Sequence, residues 1–412
     1  MTVPASSGDR RRRHSWPEGH WGWLIPVTHK HGLRAGPMAF VGGQVDKDTR
    51  GLVLHPYDRA TQTAIVMSHI GTVLRDLGLT PASLVKLVAF YASEGGAADE
   101  AALLRDIAGH LAAPGPAITA VPVPYLAYPG MLVEIEAIAM AGVDGMPLPR
   151  VCAPAAAARA LPAPLADGVR CGDMIYLSGP AHGGGGPAAD PPGSEAEAAR
   201  AVAGAGRALA DLGAGLEDVV KLVVYYLDTA GGRAVARVLP AIARGFGQTR
   251  PVVTAIPLPW LPDGESIRLD VVAMRGAESA LPRTHATGVS PWDWPGAPAV
   301  SQGLRVGRMV HVGAQMPLAG NGVLAPGALV PQTRAVMALV GRVLAGLGAG
   351  MDDVVKVNAF YRSGGTAEDL NANLGVRSSC FTAPGPTTTG IPVPFLALGG
   401  VAISVDVLAM LE

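Results

Sequence analysis

Charge is scarce in this chain. Asp, Glu, Lys and Arg make up 16% of its 412 residues, against 49% hydrophobic; a typical soluble domain is about 25% charged. No stretch approaches the roughly eighteen uninterrupted apolar residues that a membrane span needs. Extensive burial between domains is the better expectation, with no membrane partner. The net charge of −1 offers no field for nucleic acid or an anionic surface. Cysteine is scarce too: Cys152, Cys171 and Cys380 are odd in number and lack C-x-x-C spacing. That excludes a disulfide framework and a zinc site, and fits a reducing, cytoplasmic setting. His14, His20, His29 and His31 lack the HxxxH or HExxH spacing of a metal site, so neither metal nor cofactor is expected. The one basic run, Arg10 to Arg13, is not followed by the apolar core of a signal peptide. Residues 1–20 read as a disordered polar tail.

What the chain has in abundance is itself. Val85-Lys86-Leu87 leads to Phe90-Tyr91, then to Thr119-Ala120-Val121-Pro122, then to Glu136-Ala137-Ile138-Ala139-Met140. The phrase returns around Lys221, Pro257 and Asp270, and again around Lys356, Pro392 and Asp406. The lysines stand 221 − 86 = 135 and 356 − 221 = 135 apart, and the prolines keep the same step, 257 − 122 = 135 and 392 − 257 = 135. That period is too long for a solenoid unit, so each copy is a domain with its own core. The boundaries read as 21–142, 151–275 and 290–412, with Pro- and Gly-rich linkers between them.

Each copy carries the same plan of elements. In the first, the spacing predicts strands at 38–44, 84–91, 117–123 and 131–140, a short entering strand around Gly32-Leu33-Arg34, and helices over 59–77 and 97–111. The order is β-β-α-β-α-β-β, an α+β fold. In the second copy the spacing predicts strands at 174–178, 219–226, 252–258 and 266–274 and a single helix, over 194–212, after a low-complexity Gly/Pro loop at 182–193. The last strands, such as Val401 to Leu408, alternate only partly. One face of each sheet therefore lies under helices while the other stays half apolar. Three such faces bury one another around a pseudo-threefold axis.

These phrases resemble the RidA (YjgF) family. The resemblance rests on Val85-Lys86 with Phe90-Tyr91, Pro116-Ala117 with Val121-Pro122, and Val133-Glu134-Ile135-Glu136. The turns Val41-Gly42-Gly43-Gln44, Leu177-Ser178-Gly179-Pro180 and Val312-Gly313-Ala314-Gln315 sit where that family has its Ser-Gly-Gln turn, and Gln62-Thr63 and Gln332-Thr333 match its first helix. The resemblance implies a chorismate-mutase-like fold that assembles as a homotrimer, with small-molecule sites in the clefts between protomers. Three copies in one chain imply a covalently fused trimer, monomeric as a chain.

The family's best-known members hydrolyse imines and enamines. An arginine on the penultimate strand pairs with the substrate carboxylate, and a glutamate on the last strand positions water. The resemblance places the arginine position on Ile118, Val253 and Thr388, so the arginine is absent from all three copies. The glutamate position survives once, as Glu134, and is Arg268 and Ser404 elsewhere. The three clefts are thus unequal. Glu134 with His29 is the sharpest catalytic pair, a carboxylate and an imidazole at positions the family puts near its cleft. Thr119, Thr254 and Thr388 sit in or beside the lost arginine position, where a hydroxyl suits a less charged ligand; strand propensity explains them equally. Ile118, Val253, Gly43 and Gly179 complete the expected substrate-contacting set.

Other features have plainer readings. Arg34, Arg170 and Arg305 offer a replacement guanidinium or merely flank hairpin turns. Lys86, Lys221 and Lys356 read as solvated strand ends, and Glu136, Asp270 and Asp406, shared by all copies, as structural. Trp16, Trp21, Trp23, Trp292 and Trp294 either roof a cleft or plug a seam. Two functions follow. The first is a diverged enzyme acting on a small imine, enamine or carbonyl metabolite in an inter-domain cleft by hydrolysis, tautomerisation or condensation, the missing arginine favouring an uncharged or bulky substrate of a specialised, biosynthetic kind. The second is a non-catalytic ligand-binding or protective protein.

Overall fold

A computed structural model describes residues 12–153, 161–178, 193–229, 234–276, 281–286, 300–319, 322–323 and 325–412. The first repeat comprises β1 (Arg13–Ser15), β2 (Gly32–Ala35), β3 (Met38–Gln44), α1 (Arg59–Asp76), β4 (Leu84–Ala92), α2 (Ala97–Ala108), β5 (Ala117–Val123) and β6 (Val133–Met140). The second has β7 (Arg150–Cys152), β8 (Gly168–Cys171), β9 (Met174–Ser178), α3 (Glu195–Asp211), β10 (Val219–Leu227), α4 (Val235–Phe246), β11 (Val252–Leu258) and β12 (Ile267–Met274). The third has β13 (Arg283–His285), β14 (Gly303–Val306), β15 (Met309–Gln315), a small hairpin of β16 (Leu318–Ala319) and β17 (Gly322–Val323), α5 (Leu329–Gly346), β18 (Val354–Arg362), α6 (Ala367–Ser378), β19 (Thr387–Val393) and β20 (Ile403–Met410).

The three six-stranded sheets share one order. It is β1-β2-β3-β6-β4-β5 in the first repeat, and the equivalent strands follow suit in the other two. Within each, the pair β4–β5, β10–β11 or β18–β19 is parallel and the remaining pairs are antiparallel. The parallel pair is forced by the crossover helix between its strands, since a hairpin joins only antiparallel neighbours. Helix α1 starts on Asp58, whose side chain accepts from the Thr61 N–H. It leaves through Gly78 at φ +75°, and Gly213 (+75°) and Gly348 (+74°) end α3 and α5 in the same left-handed conformation, where a side chain is costly.

Two expectations change. Residues 1–11 lie outside the described residues, but Arg13–Ser15 pair with Arg34 to Gly32, so the expected tail over 1–20 is in part the edge of the first sheet. Likewise β13 pairs with β14 and extends the third repeat back into the expected linker. Helix α4 was not evident in the sequence because Pro240 interrupts it. Its apolar positions Val235, Val238, Leu239, Ile242 and Phe246 nonetheless keep three- and four-residue steps, and all are buried.

The helices cover one face of each sheet. The other faces meet on the axis, where Leu33, Phe40, Val85, Tyr176, Val220, Leu304 and Val355, drawn from all three repeats, form one core cluster. Parallel bridges close the ring: Lys30 with Thr387, Ala117 with Ala166 and Val252 with Ser301. Lys86, Lys221 and Lys356 are therefore not solvated strand ends. Lys86 Nζ lies 2.7 Å from Asp270 of the second repeat, Lys356 lies 2.7 Å from Glu136 of the first, and Lys221 pairs with Asp406 of the third. Each lysine is answered by an acid of the next repeat around the ring, which gives the 135-residue period its physical reason. Pairs buried this far from water are costly to break, because each partner would be left as an uncompensated charge.

Candidate active site

Each repeat presents the penultimate strand of its chain order to a neighbour's sheet: β5 to β9, β11 to β15 and β19 to β3. Between repeats three and one, β19 meets β3 so closely that a Cβ on Gly42 would stand 2.7 Å from the Thr388 carbonyl oxygen. Gly43 N–H donates to Thr389 Oγ1 at 3.0 Å. The register of β3 slips between Val41 and Gln44, and this bulge opens space above β6. Glu134 fills it. A Cβ on Gly43 would stand 1.9 Å from Glu134 Oε1, so only glycine leaves room for the carboxylate. In repeat three the equivalent pair is Ala314 and Ser404, with no carboxylate to accommodate.

Across the seam stands Arg377, the penultimate residue of α6. Its Nε donates to Asn373 Oδ1 at 3.0 Å and its Nη1 to Thr388 Oγ1 at 2.7 Å. Its Nη2 is buried with no hydrogen-bond partner among the described residues. Gly390 makes room for it: a Cβ there would come within 3.1 Å of Nη2. Burial lowers the Arg377 pKa to about 10, against the pull of Tyr361 and Glu134. An unsatisfied buried guanidinium nitrogen is costly, and a carboxylate is the partner its geometry suits.

Glu134 is the complementary oddity. Burial, then the nearby charge of Glu136, push its pKa up to about 8, although Lys356, Lys47 and Arg377 oppose them. At neutral pH it is mostly a protonated acid, able to donate. Lys47 faces the same space, its Nζ 3.8 Å from the ring centre of Tyr128 and 5.2 Å from that of Trp21. Burial lowers its pKa to about 8, with Glu134 and Asp48 opposing. Tyr128 Oη is buried without a hydrogen-bond partner among the described residues; burial first, then Glu134 and Glu368, push it up to about 12. Trp21, Trp23, Lys47, Tyr128, Glu134 and Arg377 line a cavity of about 400 Å³, counted with its opening. The roofing role of Trp21 and Trp23 is thus the one observed, while Trp292 and Trp294 lie outside the described residues.

The other expected residues disperse. His29 is buried beside Phe381, its Nδ1 3.0 Å from the Pro386 carbonyl, and it does not line the cavity. Burial, then Arg377, hold its pKa down to about 3; it is a neutral packing residue and does not couple to Glu134. Thr119 and Thr254 are not at the arginine position but on the axis, donating to Asp270 (2.7 Å) and Asp406 (2.9 Å). Thr388 and Gly43 do line the cavity. Ile118 and Val253 are buried in the other seams, and Gly179 lies outside the described residues. Arg34 and Arg305 bond the carbonyls of their own turns, Gly36 and Gly307, which makes them hairpin residues and not replacements for the lost arginine. Arg377 was missed, yet a signal existed. One period back lie Ile242 and Ile107, and Asn373 corresponds to Val238 and Leu103. Two polar residues one helical turn apart replace buried aliphatics in one copy only.

In the other two seams the equivalent described positions are buried. Between repeats one and two, Arg268 occupies the position of Glu134 and binds Glu100 (2.7 Å) and Glu265 (2.8 Å). Tyr91 Oη donates to the same Glu100 oxygen at 3.0 Å. Burial works against the Arg268 charge, but Glu265 and Glu100 outweigh it and hold its pKa above the ordinary value. Between repeats two and three, Val253, Ile242 and Ser404 are all buried.

A fold of this kind matches known proteins. The family model described as endoribonuclease L-PSP matches residues 27–141 and 296–411. That is more than half of the chain, which belongs to this family, the one to which RidA belongs. Repeat two is not matched in sequence but has the same sheet order. A chorismatase crystal structure is similar over 80% of this chain and 93% of its own, with 14% identity and a TM-score of 0.53; at that identity the likeness shows the fold alone. A YjgF-family protein from Mycobacterium tuberculosis (20% identity, 32% of this chain, 100% of its own, TM-score 0.27) and RidA from an Antarctic Psychrobacter (21%, 31%, 99%, 0.28) each span a single repeat's length. No curated protein sequence matches the chain.

Proposed function

We propose that this chain is a diverged enzyme of the family that works in the cleft between repeats three and one, on a small imine, enamine or carbonyl compound bearing a carboxylate. The observation that carries the reading is Arg377, a buried guanidinium with one nitrogen unsatisfied, facing a cavity that also holds a buried acid. It revises the substrate expected from the sequence: the arginine lost from the strand at Thr388 is replaced from α6, and its Nη1 is tied to that same threonine. A carboxylate on the ligand again has a partner.

In this reading Arg377 Nη2 binds the carboxylate and fixes the adjacent C=N or C=O group near Glu134. Protonated Glu134 gives its proton to the imine nitrogen, and the resulting carboxylate then accepts a proton from the water that attacks carbon. The tetrahedral carbon collapses with loss of ammonia, so imine plus water gives ketone plus ammonia. Trp21, Trp23 and Tyr128 exclude bulk water and strengthen each charge interaction inside. RNA cleavage, which the family's name mentions, draws no support from a net charge of −1.

The test is hydrolysis of 2-iminopropionate, followed as pyruvate formed above the spontaneous rate. Wild type is expected to accelerate it, with Glu134→Gln losing about 10²–10⁴-fold, the usual span of one acid–base group. No acceleration with aliphatic or aromatic 2-imino acids at any pH between about 5 and 9 would leave the non-catalytic binding reading in its place. The fused chain is proposed to be monomeric, which sedimentation checks.

A further inference from the structure

The cleft holds one group that acid catalysis of hydrolysis does not use. Five lysines occur in the sequence: Lys30, Lys47, Lys86, Lys221 and Lys356. Lys86, Lys221 and Lys356 are each clamped by a carboxylate on the axis, and Lys30 sits half-buried over the Trp16 ring, 4.9 Å from its centre. Lys47 is buried like Lys86 and Lys356, at 2% exposure, yet its Nζ faces the rings of Tyr128 and Trp21. It makes no ion pair among the described residues. An amine kept from water among aromatic rings, with no carboxylate in contact among the described residues, is set up as a nucleophile and not as a structural cation.

We infer that Lys47 is a covalent catalyst that forms a Schiff base with the C2 carbon of a 2-oxo or 2-imino acid held by Arg377. The inference rests on the cleft reading above and extends it. Its steps balance without any co-reactant. The Lys47 amine attacks C2, a C–N bond forms, and the π pair moves to oxygen (or nitrogen), which takes a proton from Glu134. The tetrahedral adduct then expels water (or ammonia), leaving the C=N–Lys47 linkage. Water reverses the step and releases the 2-oxo acid. The three groups needed all line the cavity: a carboxylate clamp (Arg377), a proton donor (Glu134) and an amine (Lys47). The depressed pKa of Lys47 leaves an appreciable fraction of free amine near neutral pH.

Reductive trapping tests it. Full-length protein is incubated with pyruvate and sodium cyanoborohydride, then digested and mapped by mass spectrometry. The expected result is one adduct per chain, at Lys47, exceeding Lys30 and the N-terminal amine by at least about tenfold and lost in Lys47→Arg and Arg377→Met. Lys47→Arg keeps the charge over the rings, and near-ultraviolet circular dichroism checks that its fold is intact. Adducts spread over Lys30 and the N-terminus, or none at all, overturn the Schiff base. If wild type is not trapped while Lys47→Arg hydrolyses 2-iminopropionate at the wild-type rate, the covalent step fails and the acid-catalysed reading stands. If neither trapping nor hydrolysis occurs, the cleft reading itself falls.

Discussion

Two seams of this molecule hold the same kinds of charge with opposite outcomes. Between repeats one and two, Arg268 on the last strand meets Glu100 on the neighbouring helix and Glu265 beside it, and each is satisfied. Between repeats three and one the polarity is reversed, with Glu134 on the strand and Arg377 on the helix. There the partners do not bond each other: Arg377 Nη2 stays unsatisfied, and the acid holds its proton to about pH 8. The first arrangement is what a staple looks like. The second stores unfavourable electrostatics that a bound carboxylate would relieve, and unsatisfied groups of this kind concentrate at functional sites. Fusion permits the contrast, because a homotrimer repeats every seam identically while a single chain lets each drift.

The comparison can be broken at its strongest point first. Arg268→Met breaks both buried ion pairs, to Glu100 and to Glu265, and urea unfolding is expected to show a loss of about 3–5 kcal/mol. Arg377→Met removes a guanidinium with no ion-pair partner, so its loss is expected within about 1–2 kcal/mol, the cost of two hydrogen bonds. Equal losses would show that the seams do not differ.

Gly43→Ala is next. The added Cβ collides with Glu134 Oε1, and displacing the carboxylate is expected to cost about 1–3 kcal/mol. Gly43→Ala combined with Glu134→Ala should recover most of that loss, because the carboxylate that the new Cβ meets is gone.

The pH dependence of stability sharpens the claim about Glu134. Its folded pKa of about 8 lies above the ordinary carboxylate range. Between those two values the folded state holds a proton that the unfolded state has released. Stability therefore falls as pH rises through that window, by up to about 1.4 kcal/mol per pH unit from this group. Denaturation midpoints measured from pH 5 to pH 8, against Glu134→Gln as the reference, isolate that slope. A wild-type curve parallel to the variant's would mean that Glu134 is ionised throughout. The smallest effect is expected of Gly390→Ala, where the Cβ stands 3.1 Å from Arg377 Nη2: below about 1 kcal/mol in stability, but with weakened carboxylate binding measured by calorimetry.

Much of the fold was legible because the repeat supplied three readings of each element. The strand plan, five of the six helices and the burial of one sheet face on a common axis follow from periodicity and from the scarcity of charge. The first, seventh and thirteenth strands were not legible, since three-residue edge strands such as Arg283–His285 carry no period and exist only through pairing with a neighbour. The site was half legible. Glu134 could be placed by its strand position, and Thr388 as the vacant arginine position. Arg377 could not be found by searching that strand, because a long side chain reaches the same point in space from a helix eleven residues earlier. The threonines show the converse: Thr119 and Thr254 stand next to the vacant position in sequence, and the alternation of side chains along a strand sends them to the opposite face, onto the axis.

The central claim is that one seam of three is a ligand site, and stoichiometry tests it most directly. Isothermal titration with pyruvate, a carboxylate-bearing carbonyl compound, is expected to give one site per chain in wild type and in a folded Glu134→Gln variant, and no binding in Arg377→Met. Three equivalent sites, or binding that survives Arg377→Met unchanged, would contradict the account.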